Sequence, residues 1–323
     1  MLRILTAAIG AVLVLAQTAF PAFAETWPAR PIKLVVPFSP GGSTDITARV
    51  LADGLRSVLG QSVIVDNRPG AGGNIAGDVV AKAAPDGYVF LVSSATLVAN
   101  ISLYKHLTYD FVKDLAPVSL TNWSTNVLVV NAKLPIKSLS EFIAHVKSGK
   151  EPIVHYGTAG HGSSQHLAAA MFNHLVAGNM VHVPYKGGAP AMTALVAGEI
   201  EAIFAPLIEA LPNIKSGAVR VLAVATPKAS PLAPGIPVIR DTLPAYVMTS
   251  WTGILAPAKT PPDIVNKMSQ AIAKTLTLPK VKKHFDEADK EPASNTPAEF
   301  KAFIATEVER YREQVRISGA IVD

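Results

Sequence analysis

From Pro31 onward, short apolar runs alternate with longer segments of helical spacing, the pattern of an α/β fold with covered, largely parallel sheets. Ile32 to Val36 is the first expected strand. Ile46, Val50, Leu51, Leu55, Val58 and Leu59 then fall on one helical stripe, which Gly60 ends. Ser62 to Val65 reads as the second strand. A helix is expected from about Asn74, its N-cap, to Ala84, and Pro85-Asp86-Gly87 turns the chain into a strand from Tyr88 to Val92.

A second unit opens near Asn126 with a strand from Val127 to Val130. A short amphipathic helix, Leu139 to Val146, follows Ser138 or Ser140 as its cap, and Ile153 to Tyr156 is the next strand. A helix from Gln165 to Val176 and strands at Glu201 to Phe204 and Val219 to Ala225 complete it. Prolines crowd Thr226 to Tyr246 too densely for a helix, so the chain is expected to cross back near the end of that segment. Ile254 to Ala256 then supplies a strand, and helices at about Pro262 to Thr275 and Pro297 to Ser318 are expected to wrap the outside of the first unit. The pattern predicts two α/β domains, residues 25–125 with 247–323 and residues 126–246.

Three connections carry the chemistry. Pro37-Phe38-Ser39-Pro40-Gly41-Gly42-Ser43-Thr44-Asp45 joins the first strand to the first helix. Gly41 and Gly42 remove the Cβ atoms that would hold a ligand off the backbone, and the helix beyond aims its positive end at the same place, so the turn is a socket for an anion. The theme recurs at Gly157-Thr158-Ala159-Gly160-His161-Gly162-Ser163-Ser164 and after Val183, at Pro184-Tyr185-Lys186-Gly187-Gly188-Ala189-Pro190. If the turns face each other across a cleft, a buried carboxylate can recover its lost hydration from amide groups and from the hydroxyls of Ser39, Ser43, Thr44, Thr158, Ser163 and Ser164. Asp45 fits two roles, a partner for the helix dipole or a reader of a ligand ammonium or hydroxyl at the rim.

Composition narrows the setting. Met1-Leu2-Arg3, the apolar run Ile4 to Leu15 and Ala22-Phe23-Ala24 have the form of a secretory signal peptide, residues 1–24, cleaved after Ala24. With no cysteine in the chain, disulfides, thiolate metal sites and a lipoprotein anchor are excluded. The net charge of +5 is spread without a run of four basic residues, which leaves a nucleic-acid face unsupported.

Several suggestive features lack their full pattern. The Gly70 to Gly77 segment contains no G-x-G-x-x-G in any register, and no G-x-x-x-x-G-K-[ST] occurs. Histidines 155, 161, 166, 174 and 182 have poor metal-ligand spacing, so no metal or cofactor is expected. Ser163 and His166 could form a nucleophile and base, yet G-x-S-x-G is absent. Trp27, Trp123 and Trp251 read as core or hinge anchors, the last two near the crossings.

The motifs WPARPIKLVVPFSPGGSTDITARVLADGL, VIVDNRPGAGGNIAGDVVAKAAPDGY, LAPVSL, YGTAGHGSSQHL, HVPYKGGAPAMTALVAGEIEAIF and ILAPAKTPPDIV together resemble the Bug proteins, extracytoplasmic substrate-binding subunits of tripartite tricarboxylate transporters. The resemblance runs from Trp27 over nearly all the remaining chain. It implies a type II periplasmic-binding-protein fold, with a ligand cleft between two α/β domains, that shuts on a small carboxylate without catalysis. Phe38, Ser39, Gly41, Gly42, Ser43, Thr44 and Asp45 match the loop that holds one carboxylate in such proteins; Ser93, Ser94, Ala95 and Thr96 match a second loop. Thr158, Ala159, Gly160, Ser163 and His166, with Tyr185, Lys186 and Gly187, match the opposite wall. Ala205-Pro206 stands where many relatives have a polar residue, and Ile101 follows Asn100 where relatives usually have proline. These departures are expected to remove a polar contact, disfavour an amino-acid ligand and favour an apolar or aromatic body.

The expected protein is a periplasmic monomer that delivers its ligand to membrane permease subunits. The competing readings are a secreted Ser/His hydrolase and a subunit that presents ligand to a membrane sensor kinase.

Overall fold

The computed structural model describes residues 26–161, 163–246, 248 and 250–318, so the expected signal peptide and its cleavage site lie outside the described residues. Strand β1 (Ile32–Val36) is buried except for Lys33, because helices cover both faces of its sheet and an apolar run satisfies both. The chain continues through α1 (Ser43–Leu59), β2 (Val63–Asn67), a short 3₁₀ turn at Ala71–Gly73, α2 (Asn74–Ala81), β3 (Val89–Ser94), α3 (Ala95–Leu103) and β4 (Leu115–Ser124). Thr125 carries it into β5 (Asn126–Asn131), followed by α4 (Leu139–Ser148), β6 (His155–Thr158), α5 (Ser164–Leu175), β7 (Val181–Pro184), α6 (Gly188–Ala197), β8 (Ala202–Pro206), α7 (Leu207–Lys215), β9 (Val219–Val224) and a single turn, α8 (Ile239–Thr242). The return brings β10 (Trp251–Pro257), α9 (Pro262–Leu276), α10 (Pro279–Glu287), β11 (Lys290–Pro292) and α11 (Pro297–Ser318).

Among the described residues these strands form two sheets, ordered β11-β4-β10-β3-β1-β2 and β7-β6-β8-β5-β9. They are mixed rather than largely parallel. β1 runs parallel to β2 and β3, and β6 to β7 and β8, as βαβ connections require. The strands flanking the crossings break that rule: β10 is antiparallel to β3 and β4, and β5 to β8 and β9.

Helix α1 buries Thr47, Ala48, Leu51, Ala52, Gly54 and Leu55, a face rotated from the stripe expected by hydrophobicity. Small residues let α9 approach: a Cβ on Gly54 would lie 2.5 Å from Thr275 Cγ2. Gly60 ends α1 in the left-handed conformation at φ 70°. The cap of α2 is Gly73, with Asn74 as its first helical residue; the Asn74 side-chain Oδ1 instead accepts from Asn100 Nδ2 at 3.0 Å. Ser138 caps α4 by accepting from the Glu141 N–H.

The last helix departs furthest from expectation. Rather than wrapping one unit, α11 packs on α3 and β4 at the first sheet and also on α5 beside the second. Glu307 on α11 is buried and accepts the Trp251 indole N–H at 2.7 Å. Arg310 donates to the same carboxylate oxygen. Trp251 opens β10 opposite Trp123 of β4, so both tryptophans stand where strands change sheets.

Candidate functional site

The strand ends, turns and helix starts of the two sheets face each other across a cleft. From the first lobe, Phe38, Gly42, Ser43 and Thr44 line it, with Ser94 and Thr96 after β3. The second lobe contributes Ala159, Ser163, Ser164 and Gln165 around the start of α5, and Gly188, Pro206 and Glu209 around α6 and α7. Ser124, Ser250, Trp251 and Thr252 form its floor at the crossings. The lobes are drawn together until the cavity is about 40 Å³, room for a few waters.

Direct bonds hold the walls at this spacing. The Ser164 N–H, at the start of α5, donates to Thr96 Oγ1 at 2.9 Å. The Ser43 N–H, at the start of α1, donates to Glu209 Oε1 at 2.7 Å. Ser39 Oγ donates to the Lys186 carbonyl, and Tyr104 OH to the His161 carbonyl at 3.1 Å. Two helix N-termini therefore meet acceptors from the opposite lobe, each satisfying one of the N–H groups that a helix start leaves without a partner of its own.

The expected site residues divide by position. Phe38, Gly42, Ser43, Thr44, Ser94, Thr96, Ala159 and Ser163 line the cleft. Ser39, Lys186 and Gly187 meet at its rim, where a Cβ on Gly187 would lie 3.1 Å from the Ser39 side chain. Gly41, Ser93, Ala95, Thr158, Gly160, His166 and Tyr185 are not among the residues that line the cleft, and Gly41 is exposed. Ser93 and Ser94 each keep a buried hydroxyl with no hydrogen-bond partner among the described residues.

Asp45 builds the socket and is held away from the rim. It is 2 % exposed and accepts from the Gly41 N–H, Arg49 Nε and Asn67 Nδ2, each at 2.9 Å. Burial pushes its pKa up, but Arg49, Gly41 and Asn67 together hold it below the ordinary carboxylate value. It shapes the Gly41-Gly42 turn.

Ser163 caps α5 by accepting the His166 N–H at 3.2 Å. The His166 ring stacks on His182 with centroids 4.0 Å apart, and His161 meets both edge-on. His182 Nε2 lies 2.7 Å from Thr158 Oγ1. Burial and the neighbouring rings push the pKa of His166 down to about 4 and that of His182 to about 3, so both are neutral near pH 7. Three of the five histidines whose spacing is poor for a metal thus form a packed stack beside Thr158. Among the described residues, no three His, Cys, Asp or Glu side chains converge to hold a metal ion.

Two charged residues enter unannounced. Glu209, in the first turn of α7, brings its carboxylate to the cleft one helical turn beyond Pro206, so the Ala205-Pro206 departure does not strip this wall of polarity. Lys290 of β11 is 3 % exposed behind α1 and donates to the Ser43 carbonyl, Ser43 Oγ at 2.9 Å and Thr47 Oγ1. Burial pulls its pKa down to about 8 against the opposing attraction of Glu209. The Gly-rich turn before α2 also gains a role: a Cβ on Gly72 would come within 2.5 Å of the His161 carbonyl, so it packs against the other lobe.

The family model described as "Tripartite tricarboxylate transporter family receptor" matches residues 47–319. The chain belongs to that family. Among curated relatives of this receptor family, Protein BugT of Bordetella pertussis is 38% identical over 319 residues, covering 98% of each chain. The fold of this chain matches the solved periplasmic binding protein BugD at a TM-score of 0.88 and 30% identity, over 91% of this chain and 99% of that one. R. palustris Rpa4515, solved with adipate, matches at 0.87 and 32% identity, over 91% and 98%. The Bug resemblance and the two-domain binding-protein fold expected from sequence are both borne out.

Proposed function

We propose that this receptor captures a small organic acid, a di- or tricarboxylate, aromatic acid or similar, in the cleft between its lobes and delivers it outside the cytoplasm to the membrane subunits of a tripartite tricarboxylate-type permease. The observation that carries this reading is the pair of helix starts, at Ser43 and Ser164, whose N–H groups face the cleft from opposite lobes. Such ends favour an anion and release it when the lobes part. The adipate held by Rpa4515 is an acid of this class.

In this reading residues 25–125 with 247–323 make one domain and 126–246 the other. Phe38, Gly42, Ser43, Thr44, Ser94, Thr96, Ala159 and Ser163 are the contacts, with Ser39, Gly41, Asp45, Ser93, Ala95, Thr158, Gly160, His166, Tyr185, Lys186 and Gly187 supporting them. Phe38 and Trp251 give the ligand's carbon skeleton aromatic surface to lie against. No covalent step is needed.

A thermal-shift screen over mono-, di- and tricarboxylates, with glutamate and aspartate included, tests the proposal. Ligand at ~100 times its dissociation constant stabilises by about 2.7 kcal/mol, so at least one acid raises Tm clearly. A panel of acids without any shift, or an acid consumed by the protein, overturns it.

A further inference from the structure

We propose that the Glu209 carboxylate is a built-in stand-in for a ligand carboxylate: reaching from the second lobe into the amide socket at the head of α1, it latches the cleft shut and must withdraw before an acid can take that place. The inference rests on the socket being the carboxylate site proposed above and adds how the site is regulated.

Glu209 occupies the position a bound anion would hold. Its Oε1 accepts the Ser43 N–H at 2.7 Å, and a Cβ on Gly42 would stand 3.4 Å from the same oxygen. On the other side a Cβ on Gly188 would fall 2.1 Å from Oε2, so only glycine at the start of α6 leaves room for the carboxylate. Oε2 is buried and has no hydrogen-bond partner among the described residues, an acceptor seated where water is excluded. Burial pushes the Glu209 pKa up, while the Ser43 N–H, the Lys290 charge and Gln165 pull it back. The groups that would steady an incoming acid are already steadying this one.

The arrangement has a mechanical consequence. Ser43, Gly42 and Lys290 belong to the lobe of the first sheet, whereas Glu209, Gly188 and Gln165 belong to the other. Parting the lobes therefore withdraws Glu209 from the socket without a rotamer change, and a ligand carboxylate that fills the socket competes with it for the same N–H.

Because the chain has no cysteine, spin labels can be placed at will. Ser57→Cys and Ser216→Cys mark exposed positions on α1 and beyond α7. Pulsed electron–electron distance measurements without ligand are expected to show a closed population that E209A shifts toward longer distances, with E209Q between. Adipate is expected to bind E209A at least fivefold more tightly than the unmodified protein, by calorimetry. Unchanged distances in both variants, or weaker adipate binding by E209A, overturns the latch. If adipate and the other acids bind neither protein, the receptor reading fails while the label distances still decide whether Glu209 holds the lobes together. E209Q preserves the shape of the side chain, so it answers the question even if E209A folds poorly.

Discussion

Thr96 Oγ1, in the first turn of α3, accepts the N–H of Ser164, the first residue of α5, at 2.9 Å across the cleft. One hydroxyl thus caps a helix that belongs to the opposite lobe. Thr96→Val keeps the side-chain shape and leaves that N–H unpaired only when the lobes meet. Closure is expected to weaken by about 1 kcal/mol, raising the Kd of the best carboxylate roughly fivefold while Tm without ligand moves little. Calorimetry beside a thermal melt separates the two; a large fall in Tm with unchanged Kd would contradict the assignment.

Lys290 is expected to set an upper pH limit for binding. Burial lowers its pKa to about 8, and a bound anion favours the charged form. Affinity for a carboxylate is therefore expected to hold below that value and to fall as the pH rises through it. Titrations between about pH 7 and 10 check this, and Lys290→Met should bind more weakly at pH 7 and lose the dependence. A profile of the unmodified protein that stays flat to pH 10 would remove Lys290 from the account.

The histidine stack acts at the acid end. The folded-state pKa values of His166 and His182, about 4 and about 3, lie below the ordinary 6.5, so the unfolded chain takes up protons first as the pH falls. Stability is fully present above 6.5 and is lost as the pH falls toward 4. For His166 alone, 7 % exposed, the loss is on the order of 3 kcal/mol. Urea unfolding at pH 7 and pH 4 should show it, with a shallower difference in H166F/H182F.

Trp251 and Glu307 form the joint behind the cleft. Trp251→Phe removes the indole N–H from a carboxylate whose pKa burial already raises, against Arg310 and the indole. A hydrogen bond to a buried charge contributes about 1.5–3 kcal/mol, so Tm should drop by several degrees. Glu307→Gln in the same background should cost much less than it does alone, and purely additive losses would show that the pair is not coupled.

Much of this fold is legible in the sequence. The run Ile32 to Val36 and the Pro37 to Asp45 turn announce a strand, an anion-binding turn and a helix, since apolar continuity and glycine are local signals. Helix α3 is not. It is buried on nearly every side, so it carries no stripe, and Leu97, Val98 and Ile101 look like loop or strand. Glu209 was hidden because Pro206 and Pro212 discourage a helix reading and because a carboxylate looks misplaced in an anion site. Lys290 sits in a charged stretch that reads as solvated surface, and the His161, His166 and His182 contacts depend on three segments that only the fold brings together.

One apolar cluster belongs to both lobes: Leu97, Val98, Phe300 and Tyr311 join Phe172, Phe204 and Tyr246 without a break. Heat should therefore melt the molecule in one cooperative step. A cavity made far from the ligand, at Phe300 for instance, would loosen both halves together and register as altered affinity as well as lost stability.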